Sequence, residues 1–227
     1  MTAPETDRAV SAVICALDAS GPLPRALAAL AGGLAEVIVV DGSSTDDTRA
    51  VAAAHGARVL AGPRGRGVQL RAGVAAACGP WLLLLHADTV LGRDWSRAVA
   101  AHVAGPAERA GYFRFALDAD GPHARRLERM VAWRCRRLGL PYGDQGLLIH
   151  RDLLEQVGGV PALPLMEDVA LVRRIGARRL RALDADAVTS AARWERERWR
   201  RRSARNVLCL TAYLLGVPPR VLVRLYG

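Results

Sequence analysis

The stretch WLLLLHADTV, Trp81 to Val90, decides the fold. Its four consecutive leucines leave no polar face, so a strand built from them is buried on both sides. Strands of that kind belong to parallel sheets covered by helices. The run then ends at His86 and Asp88. In open α/β sheets, ligands collect beyond the carboxyl ends of the strands. A histidine and a carboxylate delivered to such an end mark a candidate site.

The surrounding sequence repeats the pattern. Ala9–Leu17 (AVSAVICAL) reads as a buried strand, followed by a short helix over LPRALAALAG. Glu36–Asp41 (EVIVVD) is a second strand and places Asp41 at an equivalent carboxyl end. In GSSTDDTRAVAAAHG, Ser44 or Thr45 is expected to cap a helix that stops at Gly56. ARVL reads as a third strand, AGPRGRG as a glycine-rich arginine loop and VQLRAGVAAAC as a helix. DWSRAVAAHV gives a further helix and AGYFRFAL a further strand. The expected class is α/β, with a mostly parallel central sheet and helices on both faces. After Asp118 the alternation loosens. PHARRLERMVAWRCRRLG reads as a helix, LPYGDQGLLIHRDLLEQVGG as loop, strand and helix, and a helix begins at Met166. RRLRALDADAVTS is strand-rich. Beyond Ala191 the composition changes, so residues 9–190 are expected to form the main domain and 191–227 an arginine-rich helical extension.

The 227 residues can bury a core without disulfides or a structural metal. The formal charge of +10 favours anionic partners. Every basic residue is arginine, and alanine and glycine are abundant, so arginine count alone says little about nucleic acid. No helix-turn-helix, RNP or zinc pattern occurs, which makes a nucleic-acid partner unlikely on sequence grounds. Cys15, Cys78, Cys135 and Cys209 are scattered among apolar neighbours and are expected to be buried free thiols. With a polar MTAPETDR start and no signal-peptide pattern, this points to a cytoplasmic location. The apolar stretches are too short for a membrane-spanning helix.

Several loop carboxylates could converge on one cleft: Asp41, Asp88, Asp144, Glu167 and Asp168. A hard cation such as Mg²⁺ or Mn²⁺ takes oxygen ligands and bridges to phosphate, and Asp88 would serve as one of them. His86 reads as a metal ligand, an orienting partner or a satisfied core histidine. GPRGRG offers backbone amides plus Arg64 and Arg66 to an anion, without a Walker signature. Glu167 and Asp168 open a helix, where acids are ordinarily dipole partners; a carboxylate there could also act as a general base.

EVIVVDGSSTDDT, GRGVQLRAG, LLLLHADT, PYGDQG, PLMEDVAL and TSAARWE occur in this order. In that combination the chain resembles the family-2 glycosyltransferases of the GT-A nucleotide-diphospho-sugar transferase fold. It also looks like a small bacterial subfamily associated with radical-SAM and selenoprotein-domain genes. The resemblance implies a nucleoside-diphosphate-sugar donor, a hydroxyl acceptor, an Mn²⁺ or Mg²⁺ cofactor and inversion at the anomeric centre. It implies that Asp41 contacts the nucleoside and that Arg66 and Gln69 line the nucleotide pocket. Asp88 matches the last acid of a DxD-like metal motif, and His86 stands where many relatives have the first. Asp168 matches the catalytic base, with Glu167 beside it. Trp194, after Arg193, resembles an RW motif near the diphosphate and acceptor. Asp144 and Gln145 match a GDQ turn near the acceptor.

One segment departs from the family pattern. Where relatives carry Pro-x-x-Asn-Glu, this chain has ICALDAS, with Cys15, Asp18 and Ala19 in those places. Asp18 is then the candidate for the nucleoside contact. The altered segment motivates a rival reading: a non-catalytic protein of the same fold that binds a membrane or protein partner through its basic end. A nucleotidyltransferase is a third reading, but the glycine-rich, lysine-containing start expected of one is missing. RWERERWRRRSAR carries seven arginines and two glutamates beside an apolar run. It reads as a solvated basic face or as an interfacial helix, with Trp199 and leucines at the acyl boundary. The interfacial form would suit a lipid-linked acceptor and a peripheral position on the inner face of the cell membrane.

Overall fold

The computed structural model describes residues 9–197 and 199–226. The N-terminal stretch 1–8 and the Arg193 side chain lie outside the described residues. One eight-stranded sheet runs in the order β3-β2-β1-β4-β7-β6-β8-β5. The strands are β1 Val10–Ala16, β2 Glu36–Asp41, β3 Arg58–Ala61, β4 Trp81–His86, β5 Thr89–Leu91, β6 Ala110–Leu117, β7 Leu147–His150 and β8 Leu180–Thr189. The helices are α1 Leu23–Ala29, α2 Thr48–Ala54, α3 Arg66–Ala76, α4 Trp95–Val103, α5 Pro122–Leu138, α6 Arg151–Gln156 and α7 Glu167–Ile175. Three more follow: α8 Ala192–Glu197, α9 Trp199–Leu214 and α10 Pro219–Tyr226.

The first half follows the sequence reading. Strands β1 to β4 pair in parallel, and every residue of β1 is buried. Alternation sends Val13, Cys15, Leu82 and Leu84 to a core with α3, α5 and α7. Ala12, Ile14, Leu83 and Leu85 go to a second core with α1, α2 and α4. Helix α3 lies close on the sheet because Gly73 has no side chain; a Cβ there would sit 2.2 Å from Val13 Cγ1.

The second half is mixed. Strand β7 enters antiparallel between β4 and β6. Strand β8 pairs in parallel with β6 across a register shift between Tyr112 and Arg114. Short β5 pairs antiparallel with β8, Thr89 opposite Thr189. Only the two residues Ala87 and Asp88 separate β4 from β5, so this pairing ties the end of the leucine strand to the end of β8.

Two local expectations need correction. Ser44 and Thr45 do not cap α2, which starts at Thr48 after Asp47. Ser44 Oγ accepts from Asp18 N–H and the Thr45 backbone N–H donates to Asp18 Oδ1, so this turn braces the end of β1. Cys78 is exposed, while the other three thiols are buried and free. Trp199 is half-buried, stacked on Trp194 and edge-on to His123, so its ring packs on the protein. No described helix is long and apolar enough to cross a membrane.

Candidate functional site

The carboxyl ends of the sheet open into two adjoining chambers. The first has ≈ 1030 Å³ of empty space and is lined by Asp18, Ala19, Arg64, Gly65 and Gln69. The second, ≈ 920 Å³, is lined by Tyr142, Asp144, Asp168, Ser190, Trp194 and Arg202. Arg66, His86 and Asp88 line both. The leucine strand thus ends in the wall between two cavities, which is why a histidine and a carboxylate close it together.

The first chamber is held by bonds between strand-end loops. Asp18 has φ 46°, a left-handed conformation that few non-glycine residues adopt. It is fixed by the Ser44 and Thr45 bonds, and Ala19 N–H donates to Thr48 Oγ1 at 2.7 Å. Gln69 is buried, and its amide nitrogen donates to Ala16 O at 2.6 Å and Val40 O at 2.8 Å. Its donors are therefore spent clamping β1 to β2, where a nucleotide contact was expected. Asp41 is 0% exposed; its carboxylate accepts from Ser44 N–H and lies 3.5 Å from Arg49 Nε. It shapes the loop from beneath, at the end of β2 where the nucleoside contact was expected.

Met166 sets the second chamber. It precedes α7 with φ 63°, again left-handed. Successive helical residues diverge by about 100°, so the two acids that follow part company. Asp168 turns to the chamber. Its Oδ2 accepts from Gly143 N–H and its Oδ1 from Val169 N–H, both at 2.7 Å. Each oxygen retains a second lone-pair site. Glu167 turns inward, 1% exposed, with Arg66 Nε 3.3 Å from its Oε1. Burial first, then the Asp168 charge, raises its pKa. Glu167 thus sits beneath Arg66, buried beside Asp168 where the sequence reading expected a partner of the base.

The GDQ segment is a 3-10 turn, Gly143–Gln145, leading into β7. Gln145 is buried, and its Oε1 accepts from Tyr142 N–H and Arg134 Nη2 while its amide donates to Phe113 O. It braces the turn from inside, where an acceptor contact was expected. Asp144 does face the chamber, and burial pushes its carboxyl up to about 6, aided by the Asp168 and Asp88 charges and opposed by Arg134 and Arg66. Trp194 lies on this side too, with the Arg202 guanidinium 5.2 Å over its ring. Tyr142, Ser190, Arg202 and Asn206 were not singled out by sequence. Tyr142 adjoins the GDQ turn, which was a usable signal; Arg202 is one arginine in a run of them.

Known proteins share this fold. Glucosyl-3-phosphoglycerate synthase from Mycobacterium tuberculosis superposes with a TM-score of 0.58 at 22% identity, covering 81% of this chain and 71% of that one. The same synthase in complex with Mn²⁺, uridine diphosphate and glucosyl-3-phosphoglycerate gives 0.55 at 22% identity, covering 81% and 70%. At that identity the likeness is one of fold, GT-A in class. Uncharacterized glycosyltransferases of Mycobacterium tuberculosis and Mycobacterium bovis are each 38% identical over 140 residues, 60% of this chain. The match spans 64% of the relatives' own length. The family model described as Glycosyl transferase family 2 matches residues 11–158, from β1 through α6, and stops short of Asp168 and Trp194. That match covers more than half of the chain, and the chain belongs to glycosyl transferase family 2.

Proposed function

We propose that the protein moves a sugar from a nucleoside-diphosphate sugar to a hydroxyl acceptor, with metal assistance and inversion of the anomeric centre. The observation that carries this reading is the shared wall: Arg66, His86 and Asp88 stand between a chamber at the ends of β1 and β2 and one that holds Asp168. The first suits the donor and the second the acceptor. The relatives named as glycosyltransferases and the synthase crystallised with Mn²⁺ and uridine diphosphate support the assignment.

Among the described residues no three His, Cys, Asp or Glu side chains cluster as a metal site. A hard cation held mostly by phosphate oxygens and water needs only one or two protein carboxylates, and Asp88 stands on the shared wall. Asp88 would hold it. Mn²⁺ or Mg²⁺ bound there supplies charge stabilisation to the departing diphosphate. Arg66 adds a second cationic group on the same wall and is held in place by Glu167. Asp168, fixed by two backbone donors, accepts the proton of the acceptor hydroxyl. Attack from the side opposite the diphosphate inverts the centre.

Replacing Asp168 by Asn tests the assignment. The variant should keep nucleotide binding and lose transfer, or donor hydrolysis, by about 10²–10⁴-fold. Turnover at the wild-type rate would remove Asp168 from the role of base.

A further inference from the structure

Between α5 and α9 runs a groove with ≈ 1330 Å³ of empty space, walled by Leu127, Met130, Trp133, Leu138, Val207 and Leu210. Met130, Trp133 and Val207 are 47%, 54% and 55% exposed. A contiguous apolar wall of this kind on a protein surface marks a place that something covers. The groove adjoins the Asp168 chamber: Tyr142, Asp144, Trp194 and Asn206 line both.

The junction has a second property. Asp144 Oδ1 and Asn206 Oδ1 there, and Arg202 Nε in the adjoining chamber, are shielded from solvent and have no hydrogen-bond partner among the described residues. Buried polar atoms left unpaired are costly, and native proteins keep few of them. Brought to the cavity surface by a side-chain shift, two acceptors and one donor suit a hydroxyl, which both donates and accepts. The two adjoining cavities therefore offer a polar end for a hydroxylated head and an apolar end for a tail.

We propose that the acceptor is a lipid: its hydroxylated head sits at Asp168, Asp144 and Arg202, and its apolar chain lies in the α5–α9 groove. The word acceptor rests on the glycosyl-transfer reading above; the groove and its ligand class do not. Exposed Arg126 and Arg129 on the rim add attraction for lipids that also carry an anionic group. The occupant is a single lipid chain drawn into the groove, as distinct from a bilayer lying across it.

The test uses 1-O-alkyl glycerols of four, eight and twelve carbons below their micelle-forming concentrations, with binding read from tryptophan fluorescence. Affinity should rise about fourfold per methylene until the groove is filled. A brominated twelve-carbon chain should quench fluorescence, and quenching should drop in Trp133→Leu. Met130→Glu and Val207→Glu change exposed wall positions; both should lose at least tenfold in affinity. Their melting temperatures and nucleoside-diphosphate-induced shifts should match those of the wild type, which shows the fold intact. Affinity independent of chain length, or unchanged in both glutamate variants, would overturn the proposal. So would binding to phosphatidylglycerol vesicles without binding to monomeric chains, or a dimer that Met130→Glu dissociates. Chain binding in a protein that binds no nucleotide would support the groove and count against glycosyl transfer alone.

Discussion

The two sides of the Arg66–His86–Asp88 wall are built differently. The first chamber rests on four parallel strands, and its loops are tied to each other: Asp18 to Thr45, Ala19 to Thr48, Gln69 to both β1 and β2. The Asp168 chamber is assembled from distant pieces: the turn before antiparallel β7, the first turn of α7, the end of β8, and α8 and α9. It also retains buried polar atoms without partners at Asp144, Arg202 and Asn206. One side is closed by bonds between its own loops, while the other keeps polar atoms that no described residue satisfies.

Gly143 joins the two, and breaking it should have the largest effect. A Cβ there would lie 2.5 Å from His86 Nε2 and 3.3 Å from Asp168 Oδ2. Gly143→Ala should displace the base and cut transfer by about 10²-fold, since misplacement by about 1 Å costs that much. Nucleotide binding should persist. Unaltered steady-state kinetics would show that the contact between His86 and the turn does not matter.

A matched pair of glutamine substitutions should separate the sides. Gln69→Ala and Gln145→Ala each remove buried hydrogen bonds, and each should lower stability by about 1–3 kcal/mol in urea unfolding. Gln69→Ala should weaken nucleotide binding, whereas Gln145→Ala should spare it and slow transfer. The same functional defect in both would erase the distinction.

The smallest effect belongs to Asp144. Its carboxyl keeps a proton up to about 6 in the folded protein against an ordinary 3.8. The folded state therefore binds more protons than the unfolded chain in that window, and stability falls as pH rises through it. Asp144→Asn should lack the slope. Measured in chelator between pH 5 and pH 7, the variant should gain about 1 kcal/mol on the wild type. Parallel stability curves would place Asp144 in a more open setting.

This contrast also explains what was legible in the sequence. Strands β1 to β4 announce themselves because a strand buried on both faces has to be apolar throughout. Asp88 follows from the end of one of them. The antiparallel entry of β7 and the pairing of Thr89 with Thr189 join segments far apart in the chain, and no local pattern encodes them. Neighbouring acids told even less: Glu167 and Asp168 differ by one helical step, and that step sends one into the core and the other into the chamber. Gln69 lines the first chamber while its amide clamps β1 to β2, and Gln145 braces its turn from inside, since a polar side chain under a site and one facing it have the same spacing. The Trp194 indole lines the same chamber as Asp168, but the partners that frame it come from an arginine run in which no member stands out.

The most direct test of the two-chamber site is thermal unfolding with a panel of nucleoside diphosphates, with Mn²⁺, Mg²⁺ or chelator, in the wild type and in Asp88→Ala. A ligand at a hundred times its Kd adds about 2.7 kcal/mol to stability, a readily measured rise in Tm. The expected result is a shift with at least one nucleotide that needs the divalent cation and disappears in Asp88→Ala. No shift with any nucleotide, or a shift that survives both chelator and the substitution, would contradict the assignment of the leucine-strand end as a metal–diphosphate clamp.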